Sequence, residues 1–370
     1  MSGETPRLVV VGGGIIGTMH AVEGARRGFS VVQLERDLAP RGASVRNFGL
    51  VWVGGRASGA ELDLALRARE RWEAIAAACP GTGFRASGSL TVARTPGELE
   101  VLEEVAARPD AELRGFSLLS GAEARRENPA LGGGFLAALR CAHDAAVEPR
   151  LVLGALREHL VSTGAYTWLP GRQAMEVAAH GVVDHTGVRH EGDLVVCCVG
   201  ARPGGFLDGQ LAGAPLRRVR LQMLETAPHD GPVPTALADG DSLRYYPAYA
   251  GAAAEALAPQ DPVAAAWRAQ LLLVQRLTGH LTVGDTHSYD EPFAFDVDDA
   301  PYRHLLHVAA ELLGGPLPPV ERRWAGVYSE VTDPGLLYYR AEVAPGVVVV
   351  TGPGGRGMTM SPAIAEESFT

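Results

Sequence analysis

The chain opens on a short β-branched run, residues 8–11, that ends in Gly12-Gly13-Gly14-Ile15-Ile16-Gly17. A helical pattern follows through Ile16, Met19, His20, Ala21, Val22 and Ala25, and it stops at Gly28. A second apolar run, residues 30–34, closes on Glu35. Strand, glycine turn, helix, strand predicts one right-handed βαβ unit with parallel strands. Residues 41–52 form a glycine-dotted loop with no helical period. Residues 61–79 read as an amphipathic helix, with Leu62, Leu64, Ala65, Leu66, Trp72, Ile75 and Ala76 as its apolar positions. Strand character follows at 84–94, and helical patterns at 96–107 and 121–127, with Pro129 as a stop. Residues 151–162 read as a helix behind Glu148-Pro149, where proline suits a first turn.

The texture then changes. Residues 194–199 are continuously apolar, as in a strand of a parallel sheet covered on both faces. Residues 216–226 alternate, as a half-exposed antiparallel strand does. Strands are predicted at 244–247 and 281–288, and helices at 263–277 and 302–313. Residues 347–350 return to a fully apolar run, which enters a second glycine turn, 352–357, and a final helix. Parallel-sheet signals therefore lie at the start, near residue 195 and at the end, with alternating signals between them. The pattern predicts an α/β fold class: a discontinuous Rossmann-like cofactor domain (1–80, 145–215 and 325–370) with a threaded α+β substrate domain (81–144 and 216–324) built on a mostly antiparallel sheet.

Composition narrows the chemistry. With 370 residues, 46% hydrophobic and 21% charged, the chain can form two packed cores. Every cation is an arginine, for no lysine occurs. That excludes a Schiff-base enzyme and a GK[ST] phosphate loop. A net charge of −10 argues against nucleic acid or anionic membrane as partner. Cys79, Cys141, Cys197 and Cys198 show no C-x-x-C spacing and read as small buried hydrophobes in a reducing compartment. The first residues lack a signal-peptide pattern, and no run approaches the roughly 20 apolar residues of a membrane span. A cytoplasmic location is expected. No metal-ligand spacing appears, so no metal is expected.

Gly12, Gly14 and Gly17 match G-x-G-x-x-G after a strand and at a helix start. The first glycine permits the tight turn, the second lets backbone approach a pyrophosphate, and the third lets helix pack on strand. The open helix end, at Ile15 and Ile16, then supplies N–H groups to the anion. Glu35, 18 residues past Gly17, ends the second strand, where a carboxylate can accept both ribose hydroxyls. A glutamate rather than a cation at that strand tip disfavours a 2′-phosphate. The segment alone does not separate FAD from NAD. The second glycine turn adds another set of backbone donors, and two such helix ends suit a long ligand gripped at both ends.

The chain resembles the D-amino-acid oxidase, glycine oxidase and sarcosine oxidase superfamily of FAD enzymes. The likeness runs through VVVGGGIIG with Glu35, GASVRNFGLVW, DAAVEPRLVLGAL, VVCCVGA, RRVRLQML, WAGVYS and TGPGGRGMTMSP. It implies FAD, and because the chain has no cysteine in its C-terminal region for the family's covalent attachment, a non-covalent FAD is expected. Gly12, Gly14, Ile15, Ile16, Gly17, Glu35 and Arg36 would hold the ADP part, and Ser44, Arg46, Asn47, Phe48 and Gly49 would lie against pyrophosphate and isoalloxazine. Val177 would meet adenine, and Gly200 and Trp324 would line the cofactor. Gly354, Gly355, Gly357, Met358 and Thr359 would cap the ribityl chain and the flavin O2 end. ASVRNFGLVW, LALRARERW and GGRGMTMSP also resemble a branch proposed to oxidise aminophosphonates such as 2-aminoethylphosphonate and its N-alkyl or hydroxylated relatives. The alternatives are glycine, sarcosine or a D-amino acid as substrate, or a flavoprotein that is non-catalytic or depends on a partner.

A flavin amine oxidase needs an anchor for the substrate's acid end, and an arginine fork, often with a tyrosine hydroxyl, is suited to it. Arg218, Arg220, Arg244, Tyr246, Asn47 and above all Arg356 in the closing turn are the candidates. By strand alternation Arg218 and Arg220 share one face and Arg217 takes the other, and Tyr245 and Tyr246 point oppositely. The plain alternatives are a solvated strand face for the arginines, a turn role for Asn47 and a core role for Trp324. His280 and His287 could tune amine protonation or serve structure alone. With no lysine to assist O2, reaction with oxygen would fall to Arg356 or a histidine, or the acceptor is another molecule. A homo-oligomer is compatible with all of this.

Overall fold

The computed structural model describes residues 5–201 and 205–369. Residues 1–4, on which the expected lack of a leader partly rests, lie outside the described residues. Strand β1 (Arg7–Val11), helix α1 (Ile15–Arg26) and strand β2 (Ser30–Glu35) form the expected βαβ unit. β1 is the centre of a six-stranded sheet with β2 and Tyr166–Pro170 on one side and Leu194–Cys197, Val347–Thr351 and Tyr339–Ala344 on the other. Its strands are parallel apart from the last hairpin. The run of valines explains the order. Val9, Val195 and Val347 stand in register across three strands, each 1% exposed or less, because helices or other chain cover both sheet faces. The final helix, Gly357–Glu367, packs on α1 and on helix α2 (Ala60–Ala78), so both ends of the chain meet beside this sheet.

An eight-stranded sheet lies beyond it, in the order Val320–Val331, Leu216–Pro228, His280–Gly284, Leu272–Gln275, Ala236–Ala238, Ser89–Ala93, Ala137–Cys141 and Phe116–Ser120. Only the Ala236–Ala238 and Ser89–Ala93 pair is parallel. One face carries Leu224, Leu273 and Val283 and is covered by the helix Asp299–Leu313. The other carries Val219, Leu221 and Met223 and packs on Phe48 and Trp52.

Four expectations need correction. The alternating strand 216–226 is buried on both faces from Val219 to Thr226. Backbone meets two of its buried polar side chains: the Gln222 side-chain oxygen accepts the Asp298 N–H, and Arg220 donates to the Asp296 carbonyl. The segment 244–247 is not a strand but a helical turn, Ser242–Tyr245, followed by a 3₁₀ turn, Pro247–Tyr249. Pro247 has no N–H for a ladder and suits the first position of a helical turn. The helix expected over 263–277 ends at Trp267, where Arg268 turns left-handed (φ 45°), and Leu272–Gln275 becomes a buried strand. The strand expected over 281–288 is His280–Gly284, after which the chain turns toward the space between the sheets.

Candidate functional site

The turn after β1 tolerates no side chains. Gly12 has φ +108°, and a Cβ there would sit 2.3 Å from the Cys198 carbonyl oxygen. A Cβ on Gly17 would sit 2.2 Å from the Gly12 carbonyl oxygen. Gly14 is the N-cap of α1 and offers no side-chain acceptor, so the first N–H groups of the helix point into open space or at the loop 42–48. There the Ser44 hydroxyl accepts the Ile15 N–H at 2.9 Å. At the tip of β2, Glu35 accepts the Gly13 N–H at 2.7 Å and the Asp37 N–H at 2.9 Å. A carboxylate, a helix end and a glycine cradle thus share one rim.

That rim opens into a cavity of about 930 Å³. The volume is at the upper end for cofactor and substrate sites. The cavity runs from Gly12, Gly14 and Glu35 past Ser44, Asn47 and Phe48, meets Gly354, Gly355, Gly357 and Met358 of the closing turn, and ends among Trp52, Tyr246, Asp285 and Tyr328. An extended dinucleotide fits this shape, with the glycine cradle at one end and the aromatic chamber beyond the other.

Most of the residues picked out in sequence meet in this cavity. Gly12, Gly14, Ile15, Ile16, Gly17, Glu35, Arg36, Ser44, Arg46, Asn47, Phe48, Gly200, Gly354, Gly355, Gly357 and Met358 line it, as do Arg217, Arg218, Tyr246, His287 and Arg356. Gly49, Val177, Trp324, Thr359, Arg220, Arg244 and His280 stand behind or away from its wall. Gly49 packs on the Val147 carbonyl with φ +69°, where any Cβ would clash. Val177 pairs with Val182 in a small three-stranded sheet, and its neighbours Ala174 and Met175 reach the cavity instead. Trp324 donates to the Arg46 carbonyl. Thr359 accepts the Trp52 N–H and donates to the Leu50 carbonyl, tying the closing helix to the loop that leads to the chamber. Arg244 donates to the Ala258 carbonyl and pairs with Asp241. His280 pairs with Glu321 on the far edge.

Alternation holds for the arginines: Arg218 and Arg220 both bond to the loop at 290–298, and Arg217, on the face of Val219, Leu221 and Met223, pairs elsewhere. Arg217 and Arg218 both reach the cavity, whereas Arg220 lies under the loop at 290–298. Arg217 pairs with Glu330 and lies 4.2 Å over the Tyr289 ring; Arg218 pairs with Glu291. Tyr245 and Tyr246 sit on a helical turn, not a strand, and their rings meet edge-on at 5.0 Å inside the same chamber. Asn47 makes a local turn: its amide donates to the Ala43 carbonyl and its oxygen accepts the Gly49 N–H.

Arg356 is where its turn predicts, but it is not alone. Its Nε lies 3.1 Å from Glu61 Oε1, and it donates to the Leu337 carbonyl at 3.0 Å. Glu61 also faces Arg56 at 3.7 Å. Arg56 is 5% exposed and donates from Nε to the Trp52 carbonyl. Burial pushes the Arg56 guanidinium's pKa down, and Glu61 pulls it back up. Two arginines and one carboxylate therefore converge on the chamber. Sequence reading missed Arg56 and Glu61 because they read as loop and as the start of an amphipathic helix. The one signal was the pair of glycines before Arg56, which lets the chain bend there. Asp285, Gln270, Trp52 and Tyr328 were missed as well. Trp52 Nε1 is a buried donor with no hydrogen-bond partner, aimed at the chamber wall.

Comparison with known proteins agrees with this geometry. A family model described as FAD dependent oxidoreductase (DAO) matches residues 7–368. An opine oxidase subunit from Rhizobium meliloti is 28% identical over 170 residues; the match spans 43% of this chain and 46% of that protein, about half the curated relative's length. Among solved structures, glycine oxidase from Bacillus cereus ATCC 14579 superposes with a TM-score of 0.78 at 17% identity, covering 98% of this chain and 93% of that one. Iminodiacetate oxidase from Chelativorans sp. BNC1 superposes with a TM-score of 0.73 at 18% identity, over 97% and 93%.

Proposed function

Because the chain belongs to the FAD-dependent oxidoreductase (DAO) family, we propose that it oxidises a small amine with an anionic head, preferably an aminophosphonate such as 2-aminoethylphosphonate or an N-alkyl or hydroxylated derivative. The observation that carries this reading is the convergence of Arg56 and Arg356 on one chamber at the end of the cofactor cleft. A dianionic head wants two converging cations, and guanidinium forks suit phosphonate oxygens.

In this reading the cofactor is FAD, held without a covalent link. The glycine cradle and Glu35 take the ADP half, Ser44 and the open start of α1 take the pyrophosphate, and the closing turn 354–358 lies along the remainder. The segments 1–80, 145–215 and 325–370 form the cofactor side, and 81–144 with 216–324 form the substrate side. Bound flavin supplies the chemistry that protein side chains lack: it accepts a hydride from the amine's α-carbon and passes the electrons to O2 or another acceptor. The protein's own contribution is orientation and dryness. Arg56 and Arg356 fix the anionic end. Trp52, Tyr246 and Tyr328 close the chamber walls and exclude water. The product imine leaves to hydrolyse to an aldehyde and ammonia or a small amine.

A second reading is favoured by Glu61. It neutralises one of the two anchoring charges, and the net cation that remains matches a carboxylate. The substrate is then an amino or imino acid, as the names glycine oxidase, iminodiacetate oxidase and opine oxidase suggest for the similar proteins. Anaerobic bleaching of the purified holoenzyme decides between the two. The panel is 2-aminoethylphosphonate, its N-methyl and 1-hydroxy forms, glycine, sarcosine and D-alanine. Bleaching by the phosphonates is expected; bleaching by the carboxylates alone overturns the first reading.

A further inference from the structure

The chamber has a second pole that the anchor does not explain. Asp285 follows the strand His280–Gly284, lines the cavity and is 6% exposed. Its carboxylate is poorly compensated. Gln270 Nε2 reaches Oδ1 at only 3.4 Å, and His287 Nε2 stands 3.9 Å from Oδ2. Four tyrosines surround it. Burial pushes the hydroxyls of Tyr245, Tyr246, Tyr289 and Tyr328 up, and the field of Asp285 adds to it in each. The charges next to this group are Arg217 and Arg268, both stacked on the Tyr289 ring, and Glu330, paired with Arg217. No arginine forms an ion pair with Asp285 among the described residues. A dry carboxylate open to a cavity is costly unless a cation comes to it.

Tyr246 links this pole to the anchor. It shares the cavity wall with both; burial pushes its hydroxyl up, Asp285 adds to that, and Arg56 draws it down. Asp285 and the arginines Arg56 and Arg356 line one cavity, so the chamber carries both signs of charge, as a zwitterion requires.

We propose that Asp285 receives the substrate's ammonium group and takes its proton, so that the amine becomes neutral inside the chamber. This rests on the reading of the chain as an amine-oxidising flavoenzyme. One N–H bond of the ammonium breaks, and its electron pair stays on nitrogen as the lone pair that oxidation requires. The proton forms an O–H bond on the Asp285 carboxylate. Burial raises the affinity of that carboxylate for a proton, which suits a base working near neutrality. His287 backs it. Its Nδ1 donates to the Arg268 carbonyl at 3.1 Å, which turns Nε2 toward Asp285. The imidazole stacks on Tyr245 at 4.3 Å, which fixes the ring plane.

The test uses paired ligands on the holoenzyme at pH 7: 2-aminoethylphosphonate against ethylphosphonate, and glycine against acetate. Calorimetric titration of the wild type should show at least one ammonium-bearing ligand bound about tenfold more tightly than its amine-free partner. Asp285→Asn should erase that preference and leave the amine-free ligand bound as before. No preference in the wild type, or an intact one in the variant, overturns the proposal, whether or not the enzyme turns over. Where the flavin bleaches, the pH profile adds a second check. Asp285→Asn should bleach slowly at pH 7 and recover about tenfold per pH unit as the free ammonium loses its proton toward pH about 10. Depression by the same factor at every pH overturns the proton-transfer role. Failure of the enzymatic reading looks different: no amine bleaches the wild-type flavin at all.

Discussion

Glu61 Oε1 lies 3.1 Å from Arg356 Nε and 3.7 Å from Arg56 Nη1, so one carboxylate holds together two arginines from opposite ends of the chain. The buried Arg56 is thereby spared an uncompensated charge, and the half-buried Arg356 gains a partner. An anionic substrate has to compete with Glu61 for both.

Removing the competitor should strengthen anion binding. Glu61→Gln is expected to tighten ethylphosphonate by about tenfold and acetate by less, because only a dianion gains from both freed cations. Arg356→Ala should raise the substrate concentration needed for half-maximal bleaching by about ten- to a hundredfold while the protein keeps its flavin. Titrations followed by flavin absorbance read both effects. An unchanged requirement in Arg356→Ala removes it from the anchor.

The glycine cradle makes a sharper demand. In Gly17→Ala the new Cβ meets the Gly12 carbonyl oxygen at 2.2 Å, a backbone atom that cannot swing aside. The helix must lift from the turn, at a cost of about 3 kcal/mol. Flavin content after purification should fall sharply, and added FAD should no longer raise the melting temperature. A variant that purifies yellow with wild-type melting contradicts this.

Acid stability should depend on His20. It is fully buried in α1, bonded to the Ile16 carbonyl at 2.7 Å and to Ser368 at 2.9 Å. Burial lowers its pKa from 6.5 to about 4. The unfolded chain therefore takes up a proton near pH 6.5 that the folded chain refuses until about pH 4. This contribution is complete above pH 6.5 and is lost as pH falls through that window, by roughly 3 kcal/mol in all. Denaturant titrations at pH 7.5 and 5 should show a smaller pH effect in His20→Gln than in the wild type, even if the variant starts less stable.

Asp144 should position Arg56 without touching the substrate. It accepts the Val53 and Gly54 N–H groups and the Ser89 hydroxyl, and it is fully buried. Burial pushes its pKa up while these donors pull it down. Asp144→Ala strands three donors beside the loop that delivers Arg56, at about 1–3 kcal/mol. The substrate requirement should rise as it does in Arg56→Leu, with flavin retained. Combining the two changes should add little further loss in binding, which a double-mutant cycle would measure.

The cofactor half of the molecule was legible in sequence because its instructions are contiguous. Gly12, Gly14, Gly17 and Glu35 all lie on one strand–turn–helix–strand unit whose local geometry is dictated by missing side chains and a valine run. The closing turn at 352–357 was legible for the same reason. The substrate end was not. Tyr245 and Tyr246 were assigned to a strand because aromatic pairs favour strands, and Pro247 and the helical turn overrode that preference. Arg220 looked like an anchor by residue type, but the loop at 290–298 covers it.

The sequence by itself determined the parallel core, the turn that admits a dinucleotide and the absence of lysine chemistry, since each depends on residues close in the chain or on composition alone. Only the tertiary structure decided which charges face one another. The Arg56–Glu61 stretch, Asp285 and Arg356 sit on three separate segments, and their meeting depends on how two sheets and the final helix pack. Charge pairing is a matter of a few ångströms in a dry space, and no spacing along the chain encodes that distance.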